Sequence, residues 1–334
     1  MIGPIKTVEM HTGGEPLRII TDGIPFPEGL TLLGKRRYLQ QEADKYRRFL
    51  MLEPRGHRDM YGAVIVPPDS ENADFGVIFM HNEGYSTMCG HGVIALGRYA
   101  VDHGLVDKDP LSTSMVIQCP CGDVETTVQT DGDHFGTVIF KSVPAFAYKS
   151  DQFVNTLDYG PVEIDIAYGG AFYGILDASS IGLDVKTSSI ENISYAARHL
   201  GEAIRQQIEI THPNEPDLGF LYGIIFTDGQ SGAENSPSVN VCVFADGQID
   251  RSPTGSGVTA RLAASHAKGE TTVGKAHSFE SITGTVFTGK IVAKTEVSPY
   301  KAVIVEVGGR AHYSGSAEFT MEEDDMLAGG FLLR

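Results

Sequence analysis

The chain has 334 residues, 41% of them hydrophobic and 21% charged, too much for one simple core and enough for two domains or a duplicated pair. Its formal charge of −17 argues against nucleic acid and anionic membranes as partners, because both need a basic footprint. No apolar run approaches the roughly 18–20 residues that span a bilayer, the opening "MIGPIKTVEMHTGGEP" lacks the apolar stretch of a signal peptide, and four cysteines make no disulfide framework at this length, so a reducing, cytoplasmic setting is expected.

Short strands punctuated by Gly, Pro and Asp dominate the pattern. In chain order, "KTVEMHT" and "PLRIITDG" read as strands, and Lys35–Leu50 as a helix. "YGAVIVPP" and "FGVIFMH" are strands again, followed by a helix over Gly92–Asp102 and the strand "GTVIFKSV". The second half repeats the theme: strand "VEIDIAYGG", helix Ile190–His199, strands "GFLYGIIFTD" and "SVNVCVFADG", helix Gly257–Ala267 and strand "KAVIVEVGG". Two segments of the first half recur in the second. Aligning Cys89 with Thr254 pairs Gly90 with Gly255, Gly92 with Gly257, Val93 with Val258, Ala95 with Ala260 and Gly104 with Gly269. Upstream, the doublet Gly13–Gly14 in "VEMHTGGEPLRII" matches Gly169–Gly170 in "IDIAYGGAFYGIL". Anchors repeated in the same order predict a duplicated protein. The expected boundary lies near residue 150, giving an N-terminal lobe of 1–150, a C-terminal lobe of 151–317, and a tail of about 318–334 that packs back onto the first lobe.

Each half therefore carries a glycine-flanked turn running into a helix. A helix start presents backbone N–H groups that have no intrahelical acceptor, at the dipole end that favours anions. The flanking glycines let a ligand approach the backbone. Two such starts suit a small carboxylate, and N–H donors around a carboxylate stabilise the charge that develops when its α-proton is removed. A cysteine at this place has its thiolate stabilised, which makes Cys89 a candidate proton acceptor; the competing role is that of a small buried apolar residue. Cys242, in "VNVCVFA", reads as core. Cys119 and Cys121 form "CPC" with no second ligand pair at a zinc-like spacing. "GTVFTGK" (284–290) fails as a phosphate loop because Ile291 follows the lysine.

Taken together, "MCGHG" (88–92), "DRSPTGSG" (250–257) and "HTGGEP" (11–16) resemble the proline racemase family, which groups proline racemases, hydroxyproline 2-epimerases and trans-3-hydroxy-L-proline dehydratases. The resemblance runs over essentially the whole chain. It implies an α/β (α+β) diaminopimelate-epimerase-like fold: two pseudo-symmetric lobes, each a curved β-sheet or barrel around a central helix, with the active site between them. It implies that Cys89 is the catalytic cysteine and that Gly90 and His91 contact the substrate. It also implies that Asp250 receives the ring nitrogen, that Gly255 and Ser256 (usually Thr in the family) form the second carboxylate clamp, and that Tyr61 and Phe244 are pocket aromatics. A homodimer is implied, together with a cyclic imino acid as the small-molecule partner. No metal, nicotinamide or pyridoxal cofactor is implied.

Thr254 departs from the racemase pattern, which has a second cysteine there. A threonine hydroxyl does not deprotonate usefully near neutral pH, so this lobe has no base for the opposite face of an α-carbon. The Cys/Thr pairing resembles the dehydratases of the family, with Cys89 and Thr254 the expected catalytic pair. The alternatives are a 4-hydroxyproline 2-epimerase or proline racemase, and an inactive amino-acid-binding homologue.

Overall fold

The structure, a computed structural model, describes residues 2–131 and 134–333. It divides into two compact units, Met1–Val138 with Arg310–Arg334, and Ile139–Gly309.

In the first unit, strands β1 (Ile5–Thr12) and β2 (Glu15–Asp22) are joined by Gly13 and Gly14, at φ of 63° and 90°, values that glycine adopts without a Cβ penalty. Helix α1 (Leu32–Gln41) begins at Thr31, whose hydroxyl accepts the Gly34 N–H at 3.1 Å. A second helix, α2 (Lys45–Met51), follows. The single helix expected over 35–50 is thus two. The break falls at Asp44, whose carboxylate holds Arg47 by two bonds of 2.6 and 2.7 Å instead of continuing the first helix. Then come β3 (Tyr61–Val66), β4 (Phe75–His81), β5 (Tyr85–Ser86), α3 (Gly90–Asp102), β6 (Ser112–Cys119) and β7 (Gly122–Asp131). Strand β8 (His134–Lys141) leads out of the unit, and the chain returns as β18 (Ala311–Phe319), antiparallel to β1. The return is tied down by an Arg55–Asp325 ion pair at 2.9 Å and by paired backbone bonds between Glu53 and Phe331.

The sheet order in this unit is β18–β1–β2–β3–β4–β6–β7, antiparallel except for parallel β2–β3 and β4–β6. Helix α3 packs against β1, β2, β6, β7 and β18, which explains why "GHGVIALGRYAV" is apolar nearly all round: such a helix is buried. Strands come so close that a Cβ on Gly97 would lie 2.9 Å from Thr126 Cγ2.

The second unit contains β9 (Ala145–Thr156), β10 (Gly160–Tyr168), β11 (Phe172–Asp177), α4 (Ile190–Gln207), β12 (Leu221–Thr227), β13 (Ser238–Phe244), β14 (Gln248–Ile249), α5 (Gly255–Ala267), β15 (Ala276–Glu280), β16 (Val286–Val297) and β17 (Tyr300–Gly309). Among the described residues its strands close on themselves in the order β9–β10–β11–β12–β13–β15–β16–β17 and back to β9, through Ala302 opposite Phe146. The parallel pairs are β11–β12 and β13–β15. Helix α5 packs against β9, β10, β11, β16 and β17. Most of its residues are Gly, Ser, Ala or Thr, which keeps the helix thin enough for the barrel to wrap it.

The repeated anchors now have a topological meaning. In both units a Gly-Gly turn is followed by a parallel step, an antiparallel step, the buried helix and then a second parallel step. Strand β9 corresponds to β18 at the other end of the chain. The expected boundary near 150 falls inside β9, and the second unit begins at Ile139. Both central helices start two residues earlier than expected, immediately after Cys89 and Thr254. No helix among the described residues is long and apolar enough to cross a membrane.

The second Gly-Gly turn lies directly on α5: a Cβ on Gly169 would sit 2.2 Å from the Ser256 carbonyl oxygen and 2.6 Å from the Ala260 nitrogen. Gly169→Ala is therefore expected to destabilise by roughly 1–3 kcal/mol or more, read as a lower urea midpoint at unchanged slope. Gly315→Ala, where nothing lies within 4 Å of the new methyl, is the near-neutral control.

Candidate functional site

In the first unit the site is built on the start of α3. Cys89 is the N-cap, in extended conformation, and is 4% exposed. Its Sγ accepts the Gly92 N–H at 3.2 Å and lies 3.2 Å from His91 Nδ1. A sulfur that caps its own helix is held where the dipole stabilises a thiolate. Gly92 is required for this arrangement, since a Cβ there would lie 2.8 Å from the sulfur. Gly90 and His91 occupy the first turn, where backbone N–H groups have no intrahelical acceptor. Thr12, from "HTGGEP", donates its hydroxyl to the His91 carbonyl at 2.9 Å, so that motif braces the helix start from β1. The His91 ring meets Tyr61 edge-on, 4.9 Å between centroids, and the Tyr61 phenol is hydrogen-bonded to Ser86 Oγ.

The equivalent turn in the second unit is wired differently. Thr254 precedes α5 at φ 62°, ψ 89°, and makes no side-chain cap. A β-branched residue in this region is strained by about 1–3 kcal/mol. The surrounding loop fixes it there: Thr254 N–H donates to Ser252 Oγ at 3.1 Å and its hydroxyl donates to Asp250 Oδ2 at 2.7 Å. Asp250 Oδ1 accepts the Ser252 N–H at 2.8 Å, so both carboxylate oxygens are held. Asn240 donates to the Pro253 carbonyl at 3.0 Å and is itself held by Arg261 at 2.9 Å. Ser256 Oγ pairs with the Tyr173 hydroxyl at 2.7 Å. Tyr173 meets Tyr222 edge-on, and Tyr222 stacks on Phe244 at 5.5 Å. Burial pushes the Tyr173 phenol well above its usual range, so it remains a neutral hydroxyl.

Cys89, Gly90, His91 and Tyr61 thus form one constellation, and Asp250, Thr254, Gly255, Ser256 and Phe244 belong to the other. Ser86, Ser252, Tyr173 and Tyr222 were missed by sequence reading. Ser252 lies inside the quoted motif "DRSPTGSG" and was legible as a turn residue; the others carry no local signal. The remaining thiols lie near these constellations without capping a helix start: the Cys121 N–H donates to the Thr87 carbonyl at 3.1 Å. Cys242 is fully buried on β13, and burial, reinforced by neighbouring Cys121, pushes the Cys119 thiol well up. A cavity of 280 Å³ lies along α4, walled in part by Arg198, Arg205, Tyr222 and Phe244; neither Asp250 nor Thr254 lines it.

A helix enclosed by strands, starting at a thiol in one unit and at a hydroxyl beside a carboxylate in the other, defines a duplicated α+β protein. The sequence profile described as proline racemase matches residues 7–332. The chain belongs to the proline racemase family. It is 52% identical to a Homo sapiens protein named trans-3-hydroxy-L-proline dehydratase, covering 99% of this chain and 95% of that one. It is 51% identical to a Xenopus tropicalis protein named trans-L-3-hydroxyproline dehydratase, covering 99% and 96%. Among solved structures, a hydroxyproline epimerase of Agrobacterium vitis with bound trans-4-hydroxy-L-proline superposes with a TM-score of 0.92 at 27% identity, covering 99% of this chain and 96% of that one.

Behind Tyr61, at 5.9 Å, lies His81, whose pKa is lowered to about 3 by burial and by the Arg47 and Arg36 charges. Its Nδ1 lies 3.3 Å from the Glu83 N–H, as a neutral ring accepting that bond requires. Between pH 6.5 and 3 the unfolded chain binds a proton at this histidine that the folded chain refuses, so stability falls on acidification. The slope is at most about 1.4 kcal/mol per pH unit for one group. Thermal or urea melts from pH 7.5 to 4.5 are expected to flatten in His81→Gln relative to the parent.

Proposed function

We propose that the protein is a cofactor-independent trans-3-hydroxy-L-proline dehydratase that converts its substrate to Δ1-pyrroline-2-carboxylate. The observation that carries this reading is the difference between the two helix starts: a capping thiol at Cys89, and at Thr254 a hydroxyl committed to Asp250. The dehydratase names of relatives about half identical over nearly the full chain support it.

In this reading the first-turn N–H groups of Gly90, His91, Gly255 and Ser256 hold the substrate carboxylate, and Asp250 receives the ring ammonium. As the α-proton leaves, charge spreads onto the carboxylate, where preorganised donors stabilise it without reorganisation. Cys89, as thiolate, takes that proton. In trans-3-hydroxy-L-proline the hydroxyl lies opposite the carboxylate and therefore on the same ring face as the α-hydrogen. One thiol serves both steps: it takes the α-proton, then returns a proton to the departing hydroxyl, and water leaves by syn elimination. The enamine tautomerises to the cyclic imine. Thr254 supplies no proton to the other face; through Asp250 it orients the ring nitrogen. The protein acts as a cytoplasmic homodimer on this reading.

Three substrates separate the possibilities: trans-3-hydroxy-L-proline, trans-4-hydroxy-L-proline and L-proline, assayed for imine and for optical rotation. Imine from the first alone is expected. Optical change without imine would assign an epimerase or racemase, and binding without turnover an inactive binder. Cys89→Ser is expected to lower kcat by roughly 10²–10⁴-fold or more, the range of a positioned acid–base group; retained turnover would remove the thiol from the mechanism. Thr254→Cys is expected to add a second proton donor, seen as deuterium from solvent entering the α-carbon with inversion.

A further inference from the structure

We propose that the cavity along α4 is a binding site for a small organic phosphate, its phosphoryl group held between Arg198 and Arg205. The inference concerns the second unit alone and stands apart from the dehydratase reading, since it invokes neither Cys89 nor the turn before α5.

The cavity lies away from that turn. Helix α4 packs against β9, β12, β13 and β14, and the 280 Å³ space opens between the helix and the end of the β12–β13 ladder. Asp250, Thr254, Gly255 and Ser256 do not line it. Its walls are of two kinds. Leu221, Tyr222, Ile224 and Phe244 give an apolar side, with the Tyr222 and Phe244 rings stacked at 5.5 Å. Arg198 and Arg205 give a cationic side, from exposed positions two helical turns apart on α4.

Both guanidinium groups are uncommitted. The chain has 43 acidic residues against 26 basic ones, so carboxylate partners are in excess. Among the described residues, nevertheless, neither Arg198 nor Arg205 makes a hydrogen bond or an ion pair. The two acids on the same wall are engaged: Glu202 accepts the Gln206 amide at 3.2 Å, and Asp246 has a partner of its own.

Glycines set where the two cations lie. Arg205 folds back along α4, its Nη1 3.4 Å from where a Cβ on Gly201 would be, which brings the charge one turn closer to Arg198. Arg198 lies across Gly247, with Nη1 3.0 Å from the corresponding point there. The loop that carries Gly247 is strained, since Ala245 holds φ at 48°, in a region that disfavours residues with a Cβ. The Ser194 hydroxyl fastens this loop to α4 by donating to the Gly247 carbonyl at 3.1 Å. Strain of this kind persists where the surroundings over-determine it, and it concentrates at ligand sites.

The class of ligand follows from the donors. One guanidinium satisfies a carboxylate by itself, through two parallel N–H bonds. Two guanidiniums facing one space suit a group with three acceptor oxygens and a charge approaching −2, which describes a phosphate monoester. The aromatic and aliphatic walls then take the organic part, in a volume near the lower end of small-molecule sites.

Binding to the full chain is measured through the NMR signals of phenyl phosphate, a monoester with one planar ring. The parent is expected to bind it with a Kd of about 1 mM or tighter, the strength of a few charge-assisted bonds on a small ligand. Arg198→Ala and Arg205→Ala are each expected to weaken binding at least tenfold. Both positions are exposed, so the thermal melts of the two variants are expected to match the parent's. Inorganic phosphate is expected to bind at least threefold more weakly than the ester, because it leaves the apolar wall bare. A parent that does not bind phenyl phosphate in this range overturns the proposal. So does an affinity that either arginine substitution leaves within tenfold, which puts the anion at another site, and so does inorganic phosphate that binds as tightly as the ester. Failure of the dehydratase reading leaves all of these outcomes untouched.

Discussion

A helix buried along its length leaves the N–H groups of its first turn beyond the reach of its own carbonyls and withdrawn from bulk water. That constraint organises this protein. Unsatisfied buried donors are costly, so the start of such a helix must be served by a side chain, by a neighbouring strand, or by a ligand. At α3 the Cys89 sulfur serves one donor, and at α5 no side chain caps at all. What remains there is a polar environment suited to a carboxylate, produced by the same burial that stabilises the fold.

The two units reach the same architecture and fill it with different chemistry. Both wrap a helix in strands with the same order of parallel and antiparallel steps, and in both a Gly-Gly turn braces the helix start. In the first unit Thr12 bonds to the His91 carbonyl; in the second, Gly169 lets the chain pass within contact of the Ser256 carbonyl. The divergence lies in one side chain. A sulfur at 89 turns toward its own helix, where the dipole favours its ionised form. A hydroxyl at 254 turns away, to a carboxylate four residues back, and its backbone takes up a strained conformation to do so. A thiol that caps its helix is thereby present on one unit, and a hydroxyl bonded to a carboxylate on the other.

Much of this was legible in the residues. The Cys/Thr contrast, the flanking glycines, and the duplicated order of turn and helix are all local patterns, written within a few residues of one another. Helix starts were misplaced by two residues because glycine carries little helical propensity, although Gly90 and Gly255 are helical here. The long helix over 35–50 divided because Asp44 prefers to hold Arg47 and begin a new helix. Strands β6, β7, β9, β15, β16 and β18 went unread; several alternate polar and apolar residues only partially, since one side faces a barrel interior and the other is half covered.

By itself, then, the sequence determined the repeated device and which half carries a thiol, because both depend on residue type and short spacing. Only the tertiary structure decided what the hydroxyls do. The bond between Tyr173 and Ser256 joins residues 83 apart in the chain, that between Tyr61 and Ser86 joins β3 to β5, and Thr254 turns to Asp250 because a whole loop is folded around it. Hydrogen bonds act over about 3 Å, and no pattern of neighbours along a chain records which distant partner comes within that reach.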